Sequence, residues 1–465
     1  MGEGERVKSC AFSTLGCKVN QYDTAGLAAL FKKRGYEIVD FDSAADVYCI
    51  NTCTVTATSD RKSRQLIRRA LRRNPGAIIV VTGCYAQAAP DEVLAIPGVN
   101  IVVGTRGRAS IVDLVGGILE AGDGIRDIKI DAVQELYGSG CDSGCEPGGR
   151  GFREFEELPA GGFAERTRAY LKIQEGCEQF CSYCKVPYVR GRMRSRKPES
   201  VLDEARALVE AGHKEIVLTG IHLGAYGRDL GCAPGADGSG TRVDLAWIAR
   251  RVAGIPGVGR IRLSSVEPAD ITEDLIDLVA AERRMARHFH IPLQSGDDDI
   301  LALMRRGYTT SDYEALIKRI RGAVSGVAIT TDIMVGFPGE TDERFENSLN
   351  FARRMAFSRM HIFKYSRRPG TAAARFPGQV NARVKEDRSN RMLDLAEEMS
   401  LQFHRRFIGS IMEVLFENHS ESGLEGLTDN YIRVFAGGPA TLVGRFGQVR
   451  IDRATAEFAS GEIVQ

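Results

Sequence analysis

Residues 175–184 read EGCEQFCSYC, with Cys177, Cys181 and Cys184 separated by three residues and then by two. Immediately before them AYLKIQ (169–174) has the apolar alternation of a strand. Five more such stretches follow: EIVLTG (215–220), RIRLSSV (260–266), HFHIPLQ (288–294), AITTDIMVGF (328–337) and RMHIFKYS (359–366). Helical patterns separate them, among them ESVLDEARALVEAG (199–212), DLIDLVAAERRMA (274–286) and ERFENSLNFARRMA (343–356). Six βα cycles predict a parallel barrel, complete or partial, whose chemistry lies at the C-terminal ends of its strands. The three cysteines stand at the first of those ends.

Three cysteines within eight residues, flanked by Glu175, Gly176, Glu178 and Gln179, do not fit an apolar core. A structural zinc site takes four ligands, and the nearest histidine, His213, lies beyond a helix. A [4Fe–4S] cluster takes one thiolate per iron, so three thiolates leave one iron with an open position. The missing ligand is then the functional feature, as the open position is in a catalytic zinc site.

Outward from the barrel, residues 8–115 alternate between strands SCAFSTLGC (9–17), ADVYCINTCTV (45–55) and AIIVVTGCYAQ (77–87) and helices QYDTAGLAALFKKRGY (21–36) and TSDRKSRQLIRRALRRN (58–74). This predicts a small parallel α/β domain, with Gly35 and Pro75 stopping the helices. Each strand runs out at a cysteine: Cys17, Cys53 and Cys84. The carboxyl ends of such a sheet converge on one crevice, which would bring the three together. Residues 122–162, with GSGCDSGCEPGGRG (138–151), read as a linker. Cys10 and Cys49 fit strand interiors, and Cys141, Cys145 and Cys232 are given no role. GCAPGADGSG (231–240) reads as a surface loop, and ARVKEDRSNRMLDLAEEMSLQFHRRF (382–407) as a long helix leaving the barrel. The short segments IMEVLFE (411–417), NYIRVFA (430–436), ATLVGRF (440–446) and GQVRIDRATAEFA (447–459) predict a small antiparallel β-barrel. The expected layout is 6–121, a linker over 122–162, a core over 163–393, and a connecting helix with the small barrel over 394–465.

Eleven cysteines in 465 residues is an odd count in a large protein, which argues against a disulfide scaffold. No apolar run approaches 18 residues, and MGEGERVKSCAF has neither a long apolar core nor a cleavage site. The expectation is a cytoplasmic protein with no membrane span. Net charge is uninformative, with 62 Lys and Arg against 61 Asp and Glu.

CxxxCxxC after a first barrel strand resembles the radical S-adenosylmethionine (SAM) superfamily, with Tyr183 at the aromatic position usual in the motif. The resemblance implies that the open iron binds the amino and carboxylate groups of SAM, whose cleavage gives a 5′-deoxyadenosyl radical. It also points to SAM contacts at strand ends: Gly220 in LTGIHLG, Glu267 in RLSSVEP, and Gln294 in HIPLQSG, with Ser295 beside it. Each of these also reads as a barrel-layer, turn or capping residue. The contexts LGCKVNQYDT (15–24), NTCTVTATSDRKSR (51–64) and TGCYAQ (82–87) are similar to the N-terminal domain of the methylthiotransferases. GLTDNYIRV (426–434) looks like part of an RNA-binding TRAM barrel. This likeness covers nearly the whole chain. It implies a second [4Fe–4S] cluster on Cys17, Cys53 and Cys84, two SAM-dependent steps converting C–H to C–SCH₃, an electron donor of flavodoxin type and a sulfur source.

Substrates of that family are a prenylated adenosine or a threonylcarbamoylated adenosine in tRNA, or an aspartate of a ribosomal protein. Two basic runs favour RNA: Arg61, Arg64, Arg68 and Arg72 along one helix face, and Arg190, Arg192, Arg194, Arg196 and Lys197 in YVRGRMRSRK (188–197). FSTLGCKVNQYDT (12–24) resembles the type acting on N6-threonylcarbamoyladenosine at position 37 of tRNA, in the anticodon loop. The threonyl carboxylate would want a cation, which the Arg190–Arg196 segment could supply. A non-catalytic Fe–S protein that binds RNA is the reading of another class.

Overall fold

The computed structural model describes residues 7–121, 128–129, 154–159, 161, 167–234, 240–421 and 423–464. Most of the expected linker, with Cys141 and Cys145, lies outside the described residues. The chain forms two compact units. One comprises Met1–Phe163, Gln174–Phe180 and Cys184–Arg194, and the other Ala164–Ile173, Cys181–Tyr183 and Ser195–Gln465.

The first unit is built on six parallel strands: β1 (Ser9–Thr14), β2 (Glu37–Val39), β3 (Val47–Thr52), β4 (Ile78–Gly83), β5 (Ile101–Val103) and β6 (Ile128–Lys129), in the order β2-β1-β3-β4-β5-β6. β3 and β4 are buried along their whole length, which fits the apolar runs at 47–50 and 78–81 that open them. Tyr48, Ile50, Ile79 and Val81 pack on one face with Ile67 and Ala70 of helix Ala57–Arg73. Val47, Cys49, Ile78 and Val80 pack on the other with Leu27 and Phe31 of helix Lys18–Lys33. Cys10 and Cys49 are buried, free and 3.9 Å apart, as strand-interior residues should be. Thr56 caps helix Ala57–Arg73 by accepting from the Ser59 N–H, and Asn74–Pro75 ends it.

All six expected barrel strands are present: β7 (Arg168–Glu175), whose last two residues are counted in the first unit, and, in the second unit, β9 (Glu215–Gly220), β12 (Arg260–Leu263), β13 (His288–His290), β14 (Ala328–Val335) and β15 (Arg359–Lys364). With the two-residue β8 (Arg194–Ser195) they form two sheets, β12-β9-β7-β8 and β13-β14-β15, joined by isolated parallel bridges Ile261↔Met285 and Ser265↔His290. The short β8 lies beyond β7, so the barrel is partial. The insert expected as a loop is instead flanked by an antiparallel ribbon, β10 (Cys232–Pro234) with β11 (Gly240–Arg242). Residues 235–239 lie outside the description.

Helix Ala382–Arg405 buries Met392, Leu395, Met399 and Phe403 at helical spacing and leads to a closed five-stranded barrel. Its strands are β16 (Ile411–Ser420), β17 (Gly423–Thr428), β18 (Arg433–Ala436), β19 (Phe446–Ala454) and β20 (Ala459–Val464), closing as β16-β17-β18-β20-β19. Four pairings are antiparallel and β18–β20 is parallel. An odd number of strands cannot alternate direction around a closed ring, so one parallel pair is unavoidable. ATLVGRF, expected as a strand, is mostly a 3₁₀ turn over Ala440–Leu442. Pro439 opens it and Gly444, at φ +82°, closes it.

Candidate functional site

Three strand ends of the first unit carry Cys17, Cys53 and Cys84. β1 runs out at Thr14, and Cys17 stands at the N-cap of helix Lys18–Lys33. Cys53 follows β3 directly, and Cys84 follows β4 as the first residue of helix Cys84–Ala88. The three strands are neighbours, with Thr14 opposite Asn51 and Thr52 opposite Gly83, so their ends converge as the parallel topology requires. Gly16, at φ +103°, lets the Cys17 turn press against Cys53: a Cβ there would lie 2.9 Å from Cys53 Cβ and 3.1 Å from its Sγ. Asn20 ties the same turns together, donating from Nδ2 to the carbonyls of Leu15 (2.7 Å) and Thr52 (3.0 Å).

Burial pushes all three thiols up from the ordinary cysteine value, even Cys17, which keeps an exposed surface. Cys84 raises Cys17 further, Cys17 raises Cys53, and Cys53 raises Cys84, while the Arg190 guanidinium lowers each. Buried thiols of this kind become thiolates only with a cationic partner. Among the described residues, His290, Asp332 and His361 are the three potential ligands whose donor atoms all lie within 4.8 Å of one another, so the three thiols are spread more widely. One tetrahedral ion with bonds of about 2.3 Å would hold sulfurs about 3.8 Å apart. A wider, all-thiol set beside a buried cation suits a multinuclear iron–sulfur cluster.

The Cys177 loop is held just as tightly. Gly176 has φ +77°, and a Cβ on it would fall 1.9 Å from the Arg192 carbonyl oxygen. The Cys177 N–H donates to the Gly191 carbonyl at 3.1 Å. Backbone N–H groups of Gln179 and Val186 donate to Cys177 Sγ (3.5 Å) and Cys184 Sγ (3.4 Å). In the second unit Arg306 Nη1 donates to Cys181 Sγ at 3.4 Å, and the Ser182 N–H donates to the Met304 carbonyl at 3.0 Å.

Arg306 also gathers the strand-end residues. It pairs with Glu267, and its Nε donates to Tyr308 Oη at 3.1 Å. Tyr308 Oη in turn donates to the carbonyls of Pro292 (3.0 Å) and Leu293 (2.9 Å), directly before Gln294. Burial opposes the Arg306 charge, but Tyr183, Glu267, Tyr308 and Cys181 hold it well above its usual value. Cys181 and Glu267 thus share one cation, with Gln294 close by along the chain. Tyr183 packs edge-on against Phe337 at 6.4 Å, and Gly220 ends β9. Ser295 does not continue the alternation: Gln294 takes φ +67°, and Ser295 turns inward to Ser348 Oγ at 3.1 Å. Arg306 and Tyr308 were hidden in MRRGYT, which reads as an ordinary loop start.

Asp332 joins His290 Nε2 (3.2 Å) and His361 Nδ1 (3.1 Å), and His290 Nδ1 meets Thr330 Oγ1 at 2.9 Å. Burial works to raise the Asp332 carboxyl, and the two imidazoles overcome it and hold the group below the usual carboxylate range. The carboxylate can accept from both imidazoles, so these three side chains satisfy one another by hydrogen bonding.

The second basic run, expected to favour RNA, is mostly buried. Arg190, Arg194 and Arg196 are buried. Arg196 pairs with Glu204, and Arg194 donates to the carbonyls of Arg192 (2.9 Å) and Arg190 (3.2 Å). Of the run's five basic residues, Arg192 and Lys197 are exposed. The helix Ala57–Arg73 keeps its basic face: Arg61, Arg68 and Arg72 are exposed, while Arg64 pairs with Glu92 at 3.0 Å.

Residues 9–104 match the Uncharacterized protein family UPF0004, residues 171–352 the Radical SAM superfamily, and residues 405–464 the TRAM domain. Among solved structures, the chain is similar to the radical S-adenosylmethionine methyltransferase TsrM from Kitasatospora setae. The TM-score is 0.54 at 19% identity, covering 79% of this chain and 74% of that one, a likeness of fold. It is 34% identical to the tRNA-2-methylthio-N(6)-dimethylallyladenosine synthase of Pelotomaculum thermopropionicum, over 98% of this chain and 97% of that protein. Identity is 37% with the threonylcarbamoyladenosine tRNA methylthiotransferase MtaB of Aquifex aeolicus, over 91% of this chain and 95% of the relative. It rises to 42% with MtaB of Bacillus subtilis, over 98% of this chain and 96% of the relative. The chain therefore belongs to the MtaB-like family of radical SAM methylthiotransferases.

Proposed function

We propose that this enzyme converts N6-threonylcarbamoyladenosine at position 37 of tRNA to its 2-methylthio form. The observation that carries the substrate is the full-length similarity to MtaB proteins, at 42%, 37% and 35% identity, alongside 34% and 35% for the first dimethylallyladenosine relatives. In this reading Cys177, Cys181 and Cys184 of the core (163–393) hold one [4Fe–4S] cluster, and Cys17, Cys53 and Cys84 of the first domain (6–121) hold the other. The clusters and SAM, when bound, supply the radical, the methyl group and the sulfur site.

The chain's own residues bind and orient. Arg306 fixes Glu267 and one thiol, which sets the carboxylate where a SAM hydroxyl or amine can be met. Gly220 removes a side chain where SAM approaches, and Gln294 and Tyr183 complete its contacts. Arg192 is the exposed cation closest in sequence to the Cys184 loop, and it is assigned to the threonyl carboxylate. The terminal barrel (394–465, with its helix) contributes tRNA affinity. A flavodoxin-type electron donor, a separate sulfur source and a cytoplasmic location complete the reading.

The test is anaerobic reconstitution with SAM, reductant and bulk tRNA carrying both hypermodified adenosines, followed by nucleoside mass spectrometry. One methylthio group gained on threonylcarbamoyladenosine alone is the expected result. Gain on the prenylated nucleoside instead would overturn the substrate and keep the chemistry. SAM cleavage without either product would redirect the search to the ribosomal-protein aspartate.

A further inference from the structure

Arg190 sits in the basic run at 188–197, yet its side chain is fully buried in the first unit. Its Nε donates to Cys84 Sγ at 3.3 Å. Nη1 donates to Asp23 Oδ2 at 3.2 Å and to the Glu175 oxygens at 3.1 and 3.3 Å, and Nη2 donates to Asn20 Oδ1. Burial opposes the charge, but Cys84, Glu175, Asp23 and Cys17 hold the guanidinium well above its usual value. Asp23 has a second cation, Arg108, at 3.1 Å, and Arg108 also pairs with Glu156 at 2.8 Å. Asp23 and Glu175 are both met by Nη1, and Nη2 is taken by Asn20, so neither carboxylate uses Nε. The third donor is spent on a sulfur, a weak acceptor as a thiol and a strong one as a thiolate.

We propose that Arg190 is a positioning residue that sets the reduction potential of the centre on Cys17, Cys53 and Cys84. It does so through the Nε–H···S bond to Cys84 and a fixed positive charge near all three sulfurs. This rests on the reading that those thiolates hold a [4Fe–4S] cluster. One-electron reduction adds negative charge to the cluster. A buried cation with an N–H aimed at a ligand sulfur therefore favours the reduced form and raises the potential. Glu175, which shares the same guanidinium, works in the opposite sense.

The experiment is a dithionite titration of the anaerobic holoenzyme followed by EPR. SAM assigns the signals, since it perturbs the cluster of the CxxxCxxC loop and leaves the other unchanged. At the potential that half-reduces the wild-type SAM-insensitive cluster, Arg190→Gln should lower the ratio of reduced to oxidised form about tenfold. Arg190→Lys should lower it less, because the charge stays and the planar Nε donor is lost. Glu175→Gln should raise it. If the Gln variant of Arg190 fails to fold, the other two decide. Two clusters per chain with Arg190→Lys and Glu175→Gln titrating like the wild type would overturn the role of Arg190 alone. A wild-type chain holding one cluster, with no iron lost in Cys84→Ala, would overturn the underlying reading as well.

Discussion

Gly16, Gly83 and Gly176 each precede a candidate ligand cysteine, and each has positive φ. The Gly-Cys dipeptide was readable in all three places, but its reason was not. The glycine is demanded by what the turn touches, a neighbouring cysteine at Gly16 and the Arg192 carbonyl at Gly176. Gly176→Ala combines a left-handed backbone with a Cβ 1.9 Å from a carbonyl oxygen, so the Cys177 loop must move. We expect this variant to lose about half of the reconstituted iron and sulfide, with SAM cleavage abolished. Gly35→Ala, also at positive φ but with nothing within 4 Å of the added Cβ, should cost about 1 kcal/mol in a denaturant melt and keep both clusters. Equal iron loss in the two variants would show that left-handed strain alone explains the effect.

At the scale of the element, two basic runs of similar sequence have opposite fates. Helix Ala57–Arg73 buries only Ser63, Ile67 and Ala70, so most of its arginines face water whatever lies beneath. Arg69 and Arg73 are drawn to Asp42, which leaves Arg61, Arg68 and Arg72 exposed with no ion pair among the described residues. The triple variant Arg61→Glu, Arg68→Glu, Arg72→Glu should weaken tRNA binding. The slope of log affinity against log salt should flatten by about 2–3, while SAM cleavage without tRNA is unchanged. An unaltered slope in a filter-binding series would remove this helix from the RNA surface. The run at 188–197 is also basic, but Arg190 and Arg194 are buried within the first unit and Arg196 within the second, where Glu204 holds it. Helical period was therefore legible, whereas the burial of an irregular segment was not, because it depends on neighbours distant in sequence.

Across the whole second unit, the strand starts of the partial barrel meet the terminal barrel through buried charge. Glu215 is fully buried and bound by Arg262 Nε at 2.8 Å and Arg260 Nη1 at 3.3 Å. Arg262 and Arg260 reach on to the carbonyls of Asp429 (2.9 Å), Thr428 (3.0 Å) and Leu427 (3.1 Å). Burial would raise the Glu215 carboxyl, yet Arg262, Arg260 and Arg168 bring it below its ordinary value. A depressed folded-state pKa means that its contribution is complete above the unfolded value, near 4.3, and is lost as pH falls through the folded value. Glu215→Gln strands two buried arginines and should cost about 3–5 kcal/mol near neutral pH, read by urea unfolding. The difference from wild type should shrink on acidification, and a constant difference from pH 7 to pH 3 would show that Glu215 is not the titrating group.

The order of the elements and the two sets of three cysteines were legible in the residues alone. Strand and helix periods and ligand spacing are local, and they survive without knowledge of what packs against them. How each charge is used follows from the folded contacts. Arg190 and Arg306 each turn an N–H toward a cysteine sulfur, Arg260 and Arg262 join two barrels through Glu215, and Arg61, Arg68 and Arg72 are left to the solvent. An arginine reads the same in every context, and its role follows from the desolvation and partners that folding imposes on it.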